Sequence, residues 1–346
     1  MNPSSPSVIG SLVLPQPYLL FLGDMTEPGY AKTAFGLRDW APERCVGEYR
    51  LTPDTVSTGL PAMTSAEAYA NGARALVIGV ANPGGVIPAK WRASLVDALE
   101  AGLDIVSGMH ARLADIPGLA DTAALHQRRL IDVRVPPSAI PVATGAKRAG
   151  KRLLTVGTDC ALGKKYTALA IHRALVARGV DATFRATGQT GIMIAGGGLP
   201  MDAIIADFEA GAAEILSPAA PADHWDIIEG QGSLFHPAYA GVSLGLLHGS
   251  QPDVIIVCHE PGREMMLGVP GYALPSIEEA IEANLMFGRR TNPAIRCGGI
   301  SLNTAALDPA AAEAEIARVA DRLGLPAADP VRGGPALDRL IEHSLA

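Results

Sequence analysis

At 346 residues, and at about 100–200 residues per domain, the chain is expected to fold as two domains. Its formal charge of −7 argues against a nucleic-acid binder, which needs a concentrated basic face, and no Lys/Arg cluster here exceeds three residues. The four cysteines, Cys45, Cys160, Cys258 and Cys297, are scattered without a CxxC pair, so neither a metal knuckle nor a disulfide framework is expected and a reducing cytoplasm is the expected compartment.

The apolar run 8–22 is broken by Pro15, Gln16 and Pro17, with no basic residue ahead of it and no cleavage site. Neither a signal peptide nor a membrane-spanning helix is expected there. Residues 18–22 read as a short strand ending in Gly23-Asp24, and 75–80 as a second, followed by the turn Asn82-Pro83-Gly84-Gly85. A helix is predicted over 90–101, and strands over 104–107 and 130–135, the last stopped by Pro136-Pro137. Strands alternating with helices point to a parallel sheet. Residues 136–150, with prolines, glycine and basic residues, read as a linker, which places the first domain at 1–148 and the second at 149–346.

In the second domain, a strand at 153–156 feeds a helix at 164–178. A strand at 182–186 opens into a loop over 187–198, and a helix is predicted over 201–214. Further strands fall at 225–228, 254–258 and 295–302, and helices at 239–248, 277–287 and 309–323. The pattern is that of a doubly wound α/β sheet. Its polar residues gather just past strand C-termini, where open sheets of this kind place ligands.

The most informative stretch is Gly157-Thr158-Asp159-Cys160-Ala161-Leu162-Gly163-Lys164-Lys165-Tyr166. Strand, glycine-bounded loop, then helix N-terminus is the layout of a phosphate-binding loop: backbone N–H groups and the helix dipole hold the anion, and Lys164 adds a mobile charge. The position after Gly163-Lys164 normally carries the Ser or Thr that ligates magnesium, and here it is Lys165. Thr167 lies two residues further, a rotation of roughly 200° along the helix. The loop thus suits phosphates held by charge, with no metal expected.

Other residues suited to chemistry lie nearby. Glu229, between glycines in Ile228-Glu-Gly-Gln231-Gly-Ser233, fits a metal ligand, a general base, or a carboxylate that caps a neighbouring loop. The loop Arg185-Ala-Thr-Gly188-Gln189-Thr190-Gly191 offers backbone donors, and Arg185 fits either a bidentate bond to a substrate carboxylate or a surface salt bridge. Asp159 sits inside the phosphate loop and is expected to face a substrate amine or a cation. Cys160 reads as a packing residue of the turn or as a nucleophile. His236 and His259 stand at strand exits, Asn303 ends the last strand, and Arg263, Arg289 and Arg290 read as anion contacts or as solvated surface charge.

Two resemblances follow from these residues. Gly157-Thr-Asp-Cys-Ala-Leu-Gly-Lys164 with Ile228-Glu-Gly-Gln-Gly232 is similar to the phosphate loop and acidic motif of dethiobiotin synthetase and its relatives. That resemblance implies an ATP- and magnesium-dependent ligase or kinase, with Glu229 on the metal and Asn303 on adenine. Lys165 departs from that pattern.

A longer set, Tyr18-Leu-Leu-Phe-Leu-Gly-Asp24, Val77-Ile-Gly-Val-Ala-Asn82, Ala186-Thr-Gly-Gln-Thr-Gly191, Glu229-Gly-Gln-Gly-Ser-Leu-Phe-His236 and Leu247-His-Gly-Ser-Gln-Pro-Asp253, resembles a bacterial P-loop family once catalogued only as a domain of unknown function. Within it, the chain resembles the D-glutamate N-acetyltransferase branch. The resemblance implies a Rossmann-like N-terminal domain and a P-loop NTPase-like C-terminal domain. The implied activity transfers the acetyl group of acetyl-CoA to the amine of D-glutamate, in D-amino-acid catabolism. On that reading the loop 157–166 grips the phosphates of CoA without metal, Glu229, Asp159 and His236 are the catalytic residues, and backbone N–H groups of 188–191 or 230–233 stabilise the oxyanion. Arg185, Gly188, Gln189, Thr190, Gln231 and Ser233 would meet the amino acid. A small-molecule partner, no nucleic acid, no membrane and assembly as a homo-oligomer are expected. A non-catalytic nucleotide-binding regulatory module is a third reading of the same loop.

Overall fold

The structure, a computed structural model, describes residues 12–346. The start of the apolar run, residues 8–11, lies outside the described residues. The chain forms two compact units: residues 12–136 with 189–203, and 137–188 with 204–346.

The first unit is built on five strands, β1 (Tyr18–Gly23), β2 (Cys45–Arg50), β3 (Ala75–Ile78), β4 (Asp104–Ser107) and β5 (Leu130–Asp132). All pair in parallel, in the order β2-β1-β3-β4-β5. Strand β1 reads YLLFLG and is buried at every position. Continuous apolar runs of this kind suit a parallel sheet covered on both faces. The helices are α1 (Lys32–Trp40), α2 (Ser65–Ala70), α3 (Arg92–Glu100) and α4 (Leu119–Leu125). Thr64 and Glu67 form a capping box on α2. Strand β2 escaped the sequence reading because Glu48 stands in its middle. That carboxylate is fully buried; it accepts from Ser57 Oγ at 2.7 Å and Thr58 N at 2.6 Å, and is paired in charge with Arg50, whose Nε lies 2.9 Å away.

The glycine-rich stretch expected to be a loop contains a helix, Gln189–Ala195, that packs on α1. Its C-terminal carbonyls, which no helix satisfies internally, accept from Tyr18 Oη (to Met193, 3.1 Å) and Arg44 Nη1 (to Ile194, 2.7 Å). Just beyond it, Gly197–Gly198 pairs antiparallel with Leu12–Val13. The single helix expected over 201–214 is instead two isolated turns, Met201–Ala203 and Ala206–Phe208, followed by α6 (Glu209–Leu216). Ile205 takes extended backbone (φ −65°, ψ 134°), and the chain leaves one compact unit for the other between Ala203 and Ile204.

The second unit carries six parallel strands, β6 (Lys151–Gly157), β7 (Ala182–Arg185), β8 (Trp225–Ile228), β9 (Val254–His259), β10 (Arg296–Leu302) and β11 (Ala327–Ala328). Their order is β11-β10-β9-β6-β8-β7. Its other helices are α5 (Lys164–Ala177), α7 (Ala240–Ser250), α8 (Ile277–Gly288), α9 (Pro309–Leu323) and α10 (Pro335–Leu345). From β7 the chain returns to β8 beside β6, then crosses to β9 on the other side of β6. The direction of winding therefore reverses around β6, and such a switch opens a crevice beyond the strand C-termini. Leu153, Leu154, Ile227, Ile228 and residues 255–257 fill the sheet's core.

Residues 137–150, read as a linker, form no regular element but are anchored in this unit. Arg148 Nη2 donates to Gly249 O at 2.8 Å, Lys147 Nζ reaches Asp253 at 2.9 Å, and Glu214 accepts from Thr144 N at 3.0 Å. No helix of the described residues is long and apolar enough to cross a membrane.

Candidate functional site

The loop between β6 and α5 has the backbone an anion cradle needs. Ala161 (φ 55°) and Gly163 (φ 99°) both take left-handed conformations, which turn the chain sharply into the helix. Helix α5 begins at Lys164 without a side-chain cap, so its first-turn N–H groups are not claimed by the residue before it. Lys164 is buried, its Nζ donating to Asp159 O at 2.7 Å, and burial holds its ammonium below the ordinary lysine range. An arriving anion would supply the missing countercharge. Thr158 is fixed to the neighbouring strand: its N–H donates to Cys258 O at 3.1 Å and its Oγ1 lies 3.0 Å from His259 Nδ1. Lys165 Nζ lies 4.5 Å from the centre of the Tyr166 ring. The hydroxyl of Thr167 is turned inward onto Ser301 Oγ at 2.7 Å.

Glu229 leaves β8 beside this loop and is buried. Its Oε2 accepts from Thr187 N at 2.9 Å and Gly188 N at 3.1 Å, so it caps the turn after β7. Thr187 Oγ1 donates back to Glu229 O at 2.8 Å and accepts from Gln231 Nε2 at 2.9 Å. Gly230 must be glycine, since a Cβ there would stand 1.6 Å from Thr155 O. Its N–H donates to Thr155 Oγ1 at 2.9 Å. A small cavity is lined among others by Val156, Gly157, Gly230, Gln231, Ser233 and Asn284.

A third feature is the cluster Asp159, Cys160 and His236. A carboxylate oxygen, the sulfur and a ring nitrogen lie within 4.8 Å of one another. Asp159 Oδ2 accepts from Leu267 N at 2.8 Å and Arg263 Nη1 at 3.3 Å. Asp159 Oδ1 and His236 Nε2 are both buried without a hydrogen-bond partner. Burial pushes the Cys160 thiol up. The His236 ring stacks on Tyr239 at 4.6 Å.

The structure thus gathers Gly157–Tyr166, Glu229, Gln231, Ser233 and His236 in one unit. Gln189 and Thr190 fold with the first unit, where Gln189 Oε1 accepts from Arg134 Nε at 2.9 Å and Thr190 Oγ1 lies 3.1 Å from Thr33 Oγ1. Arg185 Nε donates to the buried Asp226 at 2.6 Å. Asn303 Nδ2 donates to Glu260 at 3.3 Å. Of the amides expected at an oxyanion, Gly188 N and Gly230 N are engaged by Glu229 and Thr155. Arg263, for which an anion contact and solvated surface charge were both open, is built into the loop, its Nη1 on Cys160 O at 3.0 Å and its Nη2 on Glu260 at 2.6 Å. Its place four residues past β9 was the signal available for it.

Comparison with known proteins agrees with this architecture. Residues 141–341 match the model of a domain of unknown function described as a P-loop domain, DUF1611, and residues 44–136 match its Rossmann-like N-terminal partner. The chain belongs to the DUF1611 family. A solved DUF1611 family protein from Anabaena variabilis superposes with a TM-score of 0.82 at 34% identity, covering 95% of this chain and 99% of that one. The Rossmann-like and P-loop folds implied by the sequence motifs are therefore those of the family. Two curated relatives are named D-glutamate N-acetyltransferase. The protein from Tritonibacter scottomollicae is 52% identical over 326 residues, 94% of this DUF1611 chain and 97% of the relative. The protein from a Pseudoalteromonas species is 48% identical over 318 residues, 92% and 96% of the two chains.

Proposed function

We propose that this DUF1611 chain is a D-glutamate N-acetyltransferase that takes its acetyl group from acetyl-CoA. The observation that carries the reading is the near full-length match, at about half identity, to two relatives bearing that name. The phosphate loop supports it, because CoA presents phosphates to be held rather than cleaved. Lys165 stands where a nucleotide hydrolase places its magnesium-binding hydroxyl, and the Thr167 hydroxyl is committed to Ser301.

In this reading residues Gly157–Tyr166 hold the phosphates and the pantetheine arm follows the crevice past β6. The neutral amine of D-glutamate attacks the thioester carbon. The C–N bond forms, the C–S bond breaks, and CoA leaves as the thiolate, which then takes up the proton that the amine gave to the base. Glu229 is the proposed acceptor of the amine's proton, with Oε2 kept in place by Thr187 and Gly188.

Incubation of the protein with acetyl-CoA and a panel of D- and L-amino acids, following free thiol, tests the proposal. Thiol release with D-glutamate, and little with its enantiomer, is expected. No thiol with any amine, together with steady phosphate release from ATP, would replace the reading with an ATP-dependent ligase.

A further inference from the structure

We infer that Asp159 and His236 together read the one hydroxyl of the pantetheine arm, and so act in recognition of the donor rather than in proton transfer. The inference rests on the proposed use of CoA. Its starting point is a mismatch inside the protein. Asp159 and His236 are 0% and 1% exposed, yet Asp159 Oδ1 and His236 Nε2 have no partner. Buried polar atoms are seldom left so, and such a pair calls for a ligand that satisfies both.

The protonation of the ring decides what kind of ligand. The Ala238 N–H donates to His236 Nδ1 at 3.1 Å, so that nitrogen presents a lone pair. In the neutral imidazole the proton then sits on Nε2. The two unpartnered atoms are accordingly one donor, Nε2–H, and one acceptor, Asp159 Oδ1. A divalent cation at the Asp159–Cys160–His236 cluster would need a lone pair from the ring nitrogen it binds, and Nε2 has none to give in this tautomer. A hydroxyl oxygen meets the demand with a single atom, accepting from Nε2–H and donating to Oδ1. Two such bonds meeting on one roughly tetrahedral oxygen set their outer atoms about 4.6 Å apart. A carboxylate oxygen of Asp159 and a ring nitrogen of His236 lie within 4.8 Å of one another, so the two side chains are near enough to share one ligand atom.

CoA supplies two hydroxyls, one on the ribose and one on the pantetheine arm, and the second lies on the side of the pyrophosphate that carries the reacting thioester. D-Glutamate carries no hydroxyl, and ionised phosphates only accept. The pantetheine arm carries a single hydroxyl, a few bonds from the pyrophosphate that the loop would grip, and Asp159 lies within that loop.

The test compares CoA with CoA whose pantoate hydroxyl is replaced by hydrogen, using calorimetry on the full-length wild-type protein, and the corresponding acetyl donors in steady-state kinetics. Loss of the hydroxyl is expected to weaken binding by about 10- to 100-fold, the range for one hydrogen bond to a charged group plus its stranded partner. Asp159→Asn and His236→Phe should raise KM for acetyl-CoA in that same range, move kcat by less than about fivefold, and no longer distinguish the two donors. Equal affinity of the wild-type protein for both forms of CoA overturns the inference, whatever the variants do. A kcat of Asp159→Asn lowered by about 1,000-fold at unchanged KM overturns it in favour of a catalytic base. One equivalent of divalent metal in the purified protein, lost in His236→Phe, overturns it in favour of a cation site. Failure of the wild-type protein to bind any CoA would remove the parent reading instead.

Discussion

Replacing Glu229 by Gln and by Ala separates two roles that the geometry superimposes on one carboxylate. Its Oε2 serves two backbone donors, Thr187 N and Gly188 N, and the surrounding turn is buried. Truncation to Ala strands both donors, at about 1–3 kcal/mol each, or roughly 2–6 kcal/mol in all. At about 2–4 °C per kcal/mol for a chain of this order, Tm should fall by about 10 °C. Gln retains a carbonyl oxygen for the same two N–H groups, so Glu229→Gln should melt within about 3 °C of the wild type. It cannot take a proton, and loss of a positioned general base lowers kcat by about 100- to 10,000-fold. Differential scanning fluorimetry alongside the free-thiol assay reads both quantities. A Glu229→Gln protein that keeps the wild-type kcat while Glu229→Ala unfolds early would refute the catalytic role and leave only the cap.

Three further outcomes are expected. Lys165→Ser should weaken CoA binding by about tenfold, measured by calorimetry, because it removes one charge beside the phosphates; unchanged affinity would show that Lys165 does not face the anion. Gly230→Ala forces its Cβ to within 1.6 Å of Thr155 O, so the β6–β8 edge must shift, and a loss of at least about 1–3 kcal/mol in urea unfolding is expected. The pH dependence of stability carries a sign set by His172 and His259, both held below the ordinary value of 6.5, chiefly by burial. The unfolded chain binds their protons first on acidification, so their contribution is whole above about pH 6.5 and is lost as pH falls towards the lower folded-state values. Thermal melts from pH 8 to 5 should show that decline, and His259→Gln should make it shallower; an identical slope in the variant would assign the decline to other groups.

Five of the six strands of the second sheet were legible in the chain because they are short apolar runs ended by glycine or by polar residues, the two-residue Ala327–Ala328 being too short to stand out, and helix 309–323 matches its predicted bounds because Asp308 caps it and Pro309 opens it. The phosphate loop was legible for the same local reason. What escaped depends on partners distant in sequence. Strand β2 hides behind a glutamate that only Ser57, Thr58 and Arg50 make tolerable. The helix at Gln189–Ala195 follows a glycine-rich approach and is completed by Tyr18 and Arg44, 175 and 150 residues from the carbonyls they serve. Glu229 could be seen at a strand end, but its commitment to Thr187 and Gly188 could not. Nor could the unmet pairing of Asp159 and His236, since that requires knowing which buried atoms lack neighbours.

Because Gln189–Ala203 belongs to the first unit while β6, α5 and β7 precede it in the chain, the first unit has its last piece delivered late by the ribosome. Translation proceeds from the N-terminus, and domains ordinarily close as they emerge. Here the oldest part of the nascent chain must wait, with Tyr18 and Arg44 lacking their carbonyl acceptors, until the phosphate loop has already left the exit tunnel. A chain halted at residue 150 would therefore carry all five strands of the first sheet but lack the helix that packs on α1.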